Sequence, residues 1–236
     1  MASASTTPGA AATALSALGP SGDREYGFVV ADLNGLPKNG LRYELVDGSI
    51  IVSPPTGRVH DSIGRWIASI LEETNPYEEY WVGTDMSIAV DDYSEPRADG
   101  VVFDVAYVDA GPLPVKAVVL VIEVVSPVSA LWDTEVKRML YARAGVANYW
   151  IVVPSEDSPT IALAGLVLDP RTYEYRYATH FTTAAFITDR PWSVTVDLPT
   201  LSRRRARAVR MPVGAADPVG TSEPVGTSEP VGPIQH

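Results

Sequence analysis

Glu123 interrupts the apolar run at 117–125, AVVLVIEVV, and is the residue that most restricts the chemistry open to this chain. Near-continuous β-branched content marks a central strand covered on both faces, and a carboxylate placed there must take up a proton, pair with a cation or bind a metal. In the plainer alternative the strand ends near Ile122 and Glu123 points into a solvated loop. A second acid, Asp99, precedes the β-branched residues that begin at Val101. Carboxylates at the ends of two neighbouring strands, with room for a hard cation between them, suit oxygen-ligated Mg2+, although Asp99-Gly100 taken alone reads as a turn. Lys137 is the third candidate. At about 3.6 residues per turn, Asp133, Lys137, Leu140, Tyr141 and Ala144 share one stripe of a helix, which places Lys137 at the edge of a buried face. Its competing reading is a surface pair with Asp133. His60 reads as a surface histidine at a helix start, with substrate contact as the alternative.

Positioning these groups requires a sheet and at least two helices. Residues 41–46, Asp47-Gly48 and 49–53 form a hairpin pattern, because Asp-Gly supplies the positive φ angles of a tight primed turn. Over 59–74, Val59, Ile63, Trp66, Ile67, Ile70 and Leu71 fall on one helical face. Strand-like runs lie at 80–83, 86–90, 101–108, 117–125 and 148–153, and a second helix at 133–144 is closed by Gly145. Shorter β-like pieces follow around 160–163, 173–177 and 192–196. Tyr149 and Trp150 read as core packing rather than base-stacking platforms. The expected fold class is a mixed sheet, α/β or α+β rather than doubly wound.

Composition narrows the function classes. Of the residues 46% are apolar and 20% charged, enough for a core of native size. The absence of cysteine excludes a disulfide scaffold, thiol catalysis and thiolate-bound metal, so a metal must sit on oxygen or imidazole. No basic residue precedes Arg24 and no apolar run approaches the roughly 18 residues of a membrane span, which points to a cytoplasmic protein. Net charge is −11, against a general polyanion-binding surface. Nucleic acid would have to be met by a local basic cleft, by metal ions, or by the arginines at 203, 204, 205, 207 and 210. Residues 1–22 read as a disordered leader, 23–201 as the folded domain, and 202–236 as an arginine-rich segment followed by the proline-punctuated repeat PVGTSE.

The order Arg42-Tyr43-Glu44-Leu45-Val46-Asp47-Gly48, Asp99, Ile122-Glu123-Val124-Val125-Ser126-Pro127, Ser129, Asp133, Lys137, Tyr141, Ala142-Arg143-Ala144-Gly145-Val146 and Tyr149-Trp150-Ile151-Val152 resembles the Uma2 family. That family lies within the PD-(D/E)XK nuclease superfamily, and the resemblance spans roughly residues 27–201. It implies a restriction-endonuclease-like core with an N-terminal hairpin and a C-terminal β extension, and a metal-dependent endonuclease acting on DNA. Carried over by position, Asp99, Glu123 and Glu44 would hold Mg2+ or Mn2+. Lys137 would orient the attacking water or steady charge on the phosphate, from the helix because Val125 takes the strand position. Cutting both strands would call for a homodimer, and no membrane partner is implied. The competing reading is a nuclease-fold scaffold or binding module without turnover. Ala98 stands where the family commonly has proline, Val153 where it often has aspartate, and Trp132 where many members are basic, which removes a phosphate contact from that loop.

Overall fold

The computed structural model describes residues 27–126 and 130–210; the expected leader and repeat tail, and Ser129 of the family motif, lie outside them. After a short helix α1 (Val30–Leu33), strands β1 (Arg42–Val46) and β2 (Ser49–Ser53) pair antiparallel. They turn through Asp47 and Gly48, both at positive φ, 45° and 74°, as the Asp-Gly signal requires. Helix α2 (Arg58–Thr74) follows, burying Ile63, Ile67 and Leu71.

Seven strands form the main sheet: β3 (Tyr80–Ala89), β4 (Arg97–Asp104), β5 (Leu113–Pro114), β6 (Val118–Val124), β7 (Asn148–Pro154), β8 (Ile161–Asp169) and β9 (Glu174–Thr182), in the order β5-β3-β4-β6-β7-β8-β9. Only β3/β5 and β6/β7 are parallel. The β6-to-β7 crossover carries the second helical segment, a wide π turn at Trp132–Val136 that continues as α3 (Lys137–Arg143). A second two-stranded unit, β10 (Ala185–Thr188) and β11 (Val194–Asp197), leads into α4 (Leu198–Arg210). The class is mixed α/β. Among the described residues no helix is long and apolar enough to cross a membrane.

Period-two alternation on β6 divides the core between the two faces. Leu120, Ile122 and Val124 pack with Ile63, Ile67 and Leu71 of α2 and with Phe186, Trp192, Leu198 and Leu201. Val121 turns to the opposite face with Tyr141, Tyr149 and Ile151. Tyr149 and Trp150 are both buried, as expected of core residues.

Three expectations are corrected. The runs at 80–83 and 86–90 are one strand, whose ladder to β4 passes from Thr84↔Gly100 to Met86↔Ala98 while Asp85 adopts a φ of 55°. The run expected at 101–108 begins instead at Arg97, so Asp99-Gly100 is strand and not turn. Gly100 serves close packing there: a Cβ would lie 3.2 Å from Ile122 Cδ1. Finally, the arginine-rich segment from Ser202 is helical to Arg210, so the domain end placed at Leu201 falls inside α4. That helix docks through Arg205, whose guanidinium donates to the carbonyls of Ser155 and Ser158, each at 2.7 Å, and of Thr160 at 3.2 Å. Arg205→Ala should therefore destabilise the fold by about 1.5–3 kcal/mol, the range for hydrogen bonds to a charged group, whereas Arg204→Ala should change it by under about 0.5 kcal/mol. Denaturant melts of the two variants check this.

Candidate active site

β6 presents Glu123 on the α3 face of the sheet, 1% exposed. The strand does not end before it, so the solvated-loop reading of Glu123 is set aside. From α3, the Lys137 ammonium enters the same space and lies 3.4 Å from Glu123 Oε1, 2.8 Å from Glu44 Oε2 and 3.6 Å from Asp133 Oδ1. It also donates to the Arg97 carbonyl at 2.8 Å. Lys137 and Asp133 are 5% and 3% exposed, which replaces the surface-pair reading with a buried one. Glu44 reaches the cluster from β1, where its Oε2 also accepts the Arg97 amide at 3.0 Å. The hairpin that carries it is tied to α3 by Arg143, which donates to both Asp47 oxygens at 2.8 and 2.9 Å.

Asp99 meets the end of β6. Its Oδ2 accepts the Val124 amide at 2.8 Å, while the Val124 carbonyl accepts a short hydrogen bond from His60 Nε2. His60 Nε2 is 3.7 Å from Asp99 Oδ2, so the backbone amide and carbonyl of Val124, the residue after Glu123, are each held by one of two side chains that also face each other. His60 is thus a cleft residue and not a surface one. Glu44, His60, Asp99, Glu123, Asp133 and Lys137 all border one cleft of about 270 Å3, as does Trp132. The sequence-based candidates Asp99, Glu123, Lys137 and Glu44 are brought together. His60, Asp133, Arg42 and Arg97 join them; of these His60 and Asp133 stood out in the sequence, Arg42 only as part of the family motif, and Arg97 not at all.

Electrostatics follow from this crowding. Burial pushes the Glu123 carboxyl well above the usual carboxylate range, opposed by Lys137 and reinforced by Asp133, Asp99 and Glu44. Burial raises Asp99 too, against the pull of His60, Lys137 and the Val124 amide. For Lys137 burial acts downward, but Glu123, Glu44 and Asp133 outweigh it and hold the ammonium well above its ordinary value.

Among the described residues no three His, Asp or Glu side chains are gathered as a ready cation cage, because Lys137 stands between them. The donor chemistry still fits a hard divalent ion. Every candidate ligand is a carboxylate oxygen, and Glu123 Oε1 is buried with no hydrogen-bond partner. At the rim Arg42 Nη2 donates to Asp85 Oδ1 at 2.7 Å, and Arg97 grips the same carboxylate with Nε at 2.5 Å and Nη2 at 2.9 Å.

The Uma2 family, described as "Putative restriction endonuclease", matches the chain over residues 30–174. Among solved structures, the "Crystal structure of a putative nuclease belonging to DUF820 from Anabaena variabilis ATCC 29413" shares 16% identity at a TM-score of 0.56, covering 75% of this chain and 99% of its own. That likeness speaks for the fold. No curated protein matches the chain.

Proposed function

The chain belongs to the Uma2 family, and from that premise we propose that it is a metal-dependent endonuclease hydrolysing DNA phosphodiester bonds in the cleft that holds Glu44, Asp99, Glu123 and Lys137. The observation that carries this reading is the Glu123 carboxyl, buried in the central strand with Oε1 accepting no hydrogen bond and facing a cleft that the Lys137 ammonium also enters, 3.4 Å away. Nothing in packing alone calls for an acid there.

In this reading Asp99, Glu123 and Glu44 hold a divalent cation, Mg2+ or Mn2+, which when bound supplies Lewis acidity toward a phosphoryl oxygen and toward the attacking water. Asp99 and His60 hold the backbone amide and carbonyl of Val124, the residue that follows Glu123. Lys137 is anchored by the Arg97 carbonyl and Glu44 and donates a longer hydrogen bond to Glu123 Oε2 at 3.5 Å, so it stands in the cleft as a fixed positive charge that stabilises developing negative charge. Cleavage of both strands would take a second copy of the chain. The Lys137–Glu44 pair at 2.8 Å favours one competing reading, in which the cluster only holds the fold together.

Incubation with supercoiled and linear DNA separates the two. The nuclease should cut both with Mg2+ or Mn2+, and should be inert with Ca2+, although all three ions raise the melting temperature. Neither cleavage nor stabilisation at millimolar ion would leave the scaffold reading.

A further inference from the structure

A nuclease that carries a charge of −11 needs a place where its substrate's phosphates are welcome. The rim of the cleft has one, and it is filled by the protein itself. Asp85 projects an exposed carboxylate onto two guanidinium groups, from Arg42 on the hairpin and Arg97 on β4. Arg97 binds it in the two-pronged geometry that guanidinium uses equally for carboxylate and phosphate. Asp85 takes up this position from a left-handed backbone in mid-strand, a conformation retained only where the surroundings fix it.

Arg42 connects this rim to the chemistry. Its Nη2 binds Asp85 while its Nη1 donates to Thr56 Oγ1 at 3.1 Å and lies 3.9 Å from Asp99 Oδ1, so one guanidinium spans the exposed carboxylate and a candidate metal ligand. Its Nε is buried without a hydrogen-bond partner. Beside it a second cleft, of about 290 Å3, is lined by Arg42, Arg65, Asp85 and Asp99. Arg42 and Asp99 line both clefts.

We propose that Arg42 and Arg97 form a binding site for the DNA phosphate next to the one that is cut, and that the Asp85 carboxylate occupies this site as an internal substitute until the backbone phosphate displaces it. The inference rests on the nuclease reading for the identity of the polyanion, and it adds where the strand enters and what restrains it. In this proposal the phosphate contact comes from the hairpin and β4 rather than from the loop that carries Trp132.

The test is binding of a short fluorescein-labelled DNA duplex in EDTA, followed by anisotropy over a range of salt, so that turnover does not enter. Asp85→Asn removes the charge and keeps a residue type that tolerates positive φ; Asp85→Gly removes it with no backbone demand at all. Both should bind about 3- to 10-fold more tightly than wild type at low salt, the difference fading as salt rises. Arg42→Gln should weaken binding and reduce the slope of log K against log salt by about 1, as loss of one phosphate contact does. If neither Asp85 variant binds more tightly while both melt as wild type does, or if Arg42→Gln keeps the full salt slope, the proposal is overturned. Failure of every protein to bind the duplex overturns it as well. Tighter binding by the Asp85 variants without any cleavage in Mg2+ would keep the phosphate site and defeat the nuclease reading, whereas cleavage without tighter binding would do the reverse.

Discussion

Lys137→Ala should lose cleavage and stability together. Removing the ammonium leaves Glu44, Glu123 and Asp133 facing one another in a buried space, and breaking a buried ion pair from one side costs about 3–5 kcal/mol. For a domain of this size that is a fall in melting temperature of about 6–20 °C. A surface pair with Asp133 alone would have put the loss under about 0.5 kcal/mol, so the melt by itself discriminates. Lys137→Arg is the companion measurement. It keeps the positive charge, yet a planar guanidinium cannot place a single donor between Glu44 and the Arg97 carbonyl, and cleavage should drop about 10²–10³-fold with a smaller loss in melting temperature. Wild-type melting and wild-type cleavage in both variants would take Lys137 out of the site.

Glu123→Gln is expected to behave in the opposite way, with activity falling at least about 10²-fold while stability holds or rises. The amide has the shape of the acid without the cost of burying its charge. Because burial holds the native Glu123 carboxyl well above 4.5, the native state binds a proton that the unfolded chain releases as pH passes that value. The wild type therefore loses stability from this group as pH rises from about 4.5 toward the raised native value, and it is least penalised below 4.5, where both states are protonated. The gap between the variant and wild type should accordingly be smallest in acid and widen toward neutrality. A gap that is constant with pH, or a variant that cleaves normally, would show that Glu123 is neither buried as an acid nor needed for turnover.

Much of the fold could be read from the sequence where one local signal suffices. Asp47-Gly48 specifies its hairpin, the apolar face of α2 specifies its helix, and an acid within AVVLVIEVV announces itself. Glu44 became a candidate only through the family resemblance, since a glutamate in an exposed-looking hairpin has no pattern of its own. Asp99 was obscured by turn chemistry, because the reason for Gly100 is the side chain of Ile122 on the neighbouring strand, which no local window contains. α4 was missed for a related reason. Its buried apolar residues are few, Leu198 and Leu201, and its docking depends on an arginine bonded to carbonyls about 45–50 residues earlier. The Arg42–Asp85–Arg97 contacts join three separate strands, and they become visible only once β1, β3 and β4 are in place.

The π turn at Trp132–Val136 makes the candidate site answer to arithmetic as well as to chemistry. In that turn the Lys137 amide reaches back to the Trp132 carbonyl, one residue further than in an α-helix, and the Asp133 carbonyl is taken by the Tyr149 hydroxyl at 2.6 Å. A helix with one residue fewer would rotate everything after it by about 100° and point Lys137 away from Glu123 with its identity unchanged. Homologous chains are therefore best compared here by counting positions from the turn rather than by matching letters. A lysine displaced by one place in such a comparison would be a different residue in space, and one apparently missing can be restored by a single-residue gap.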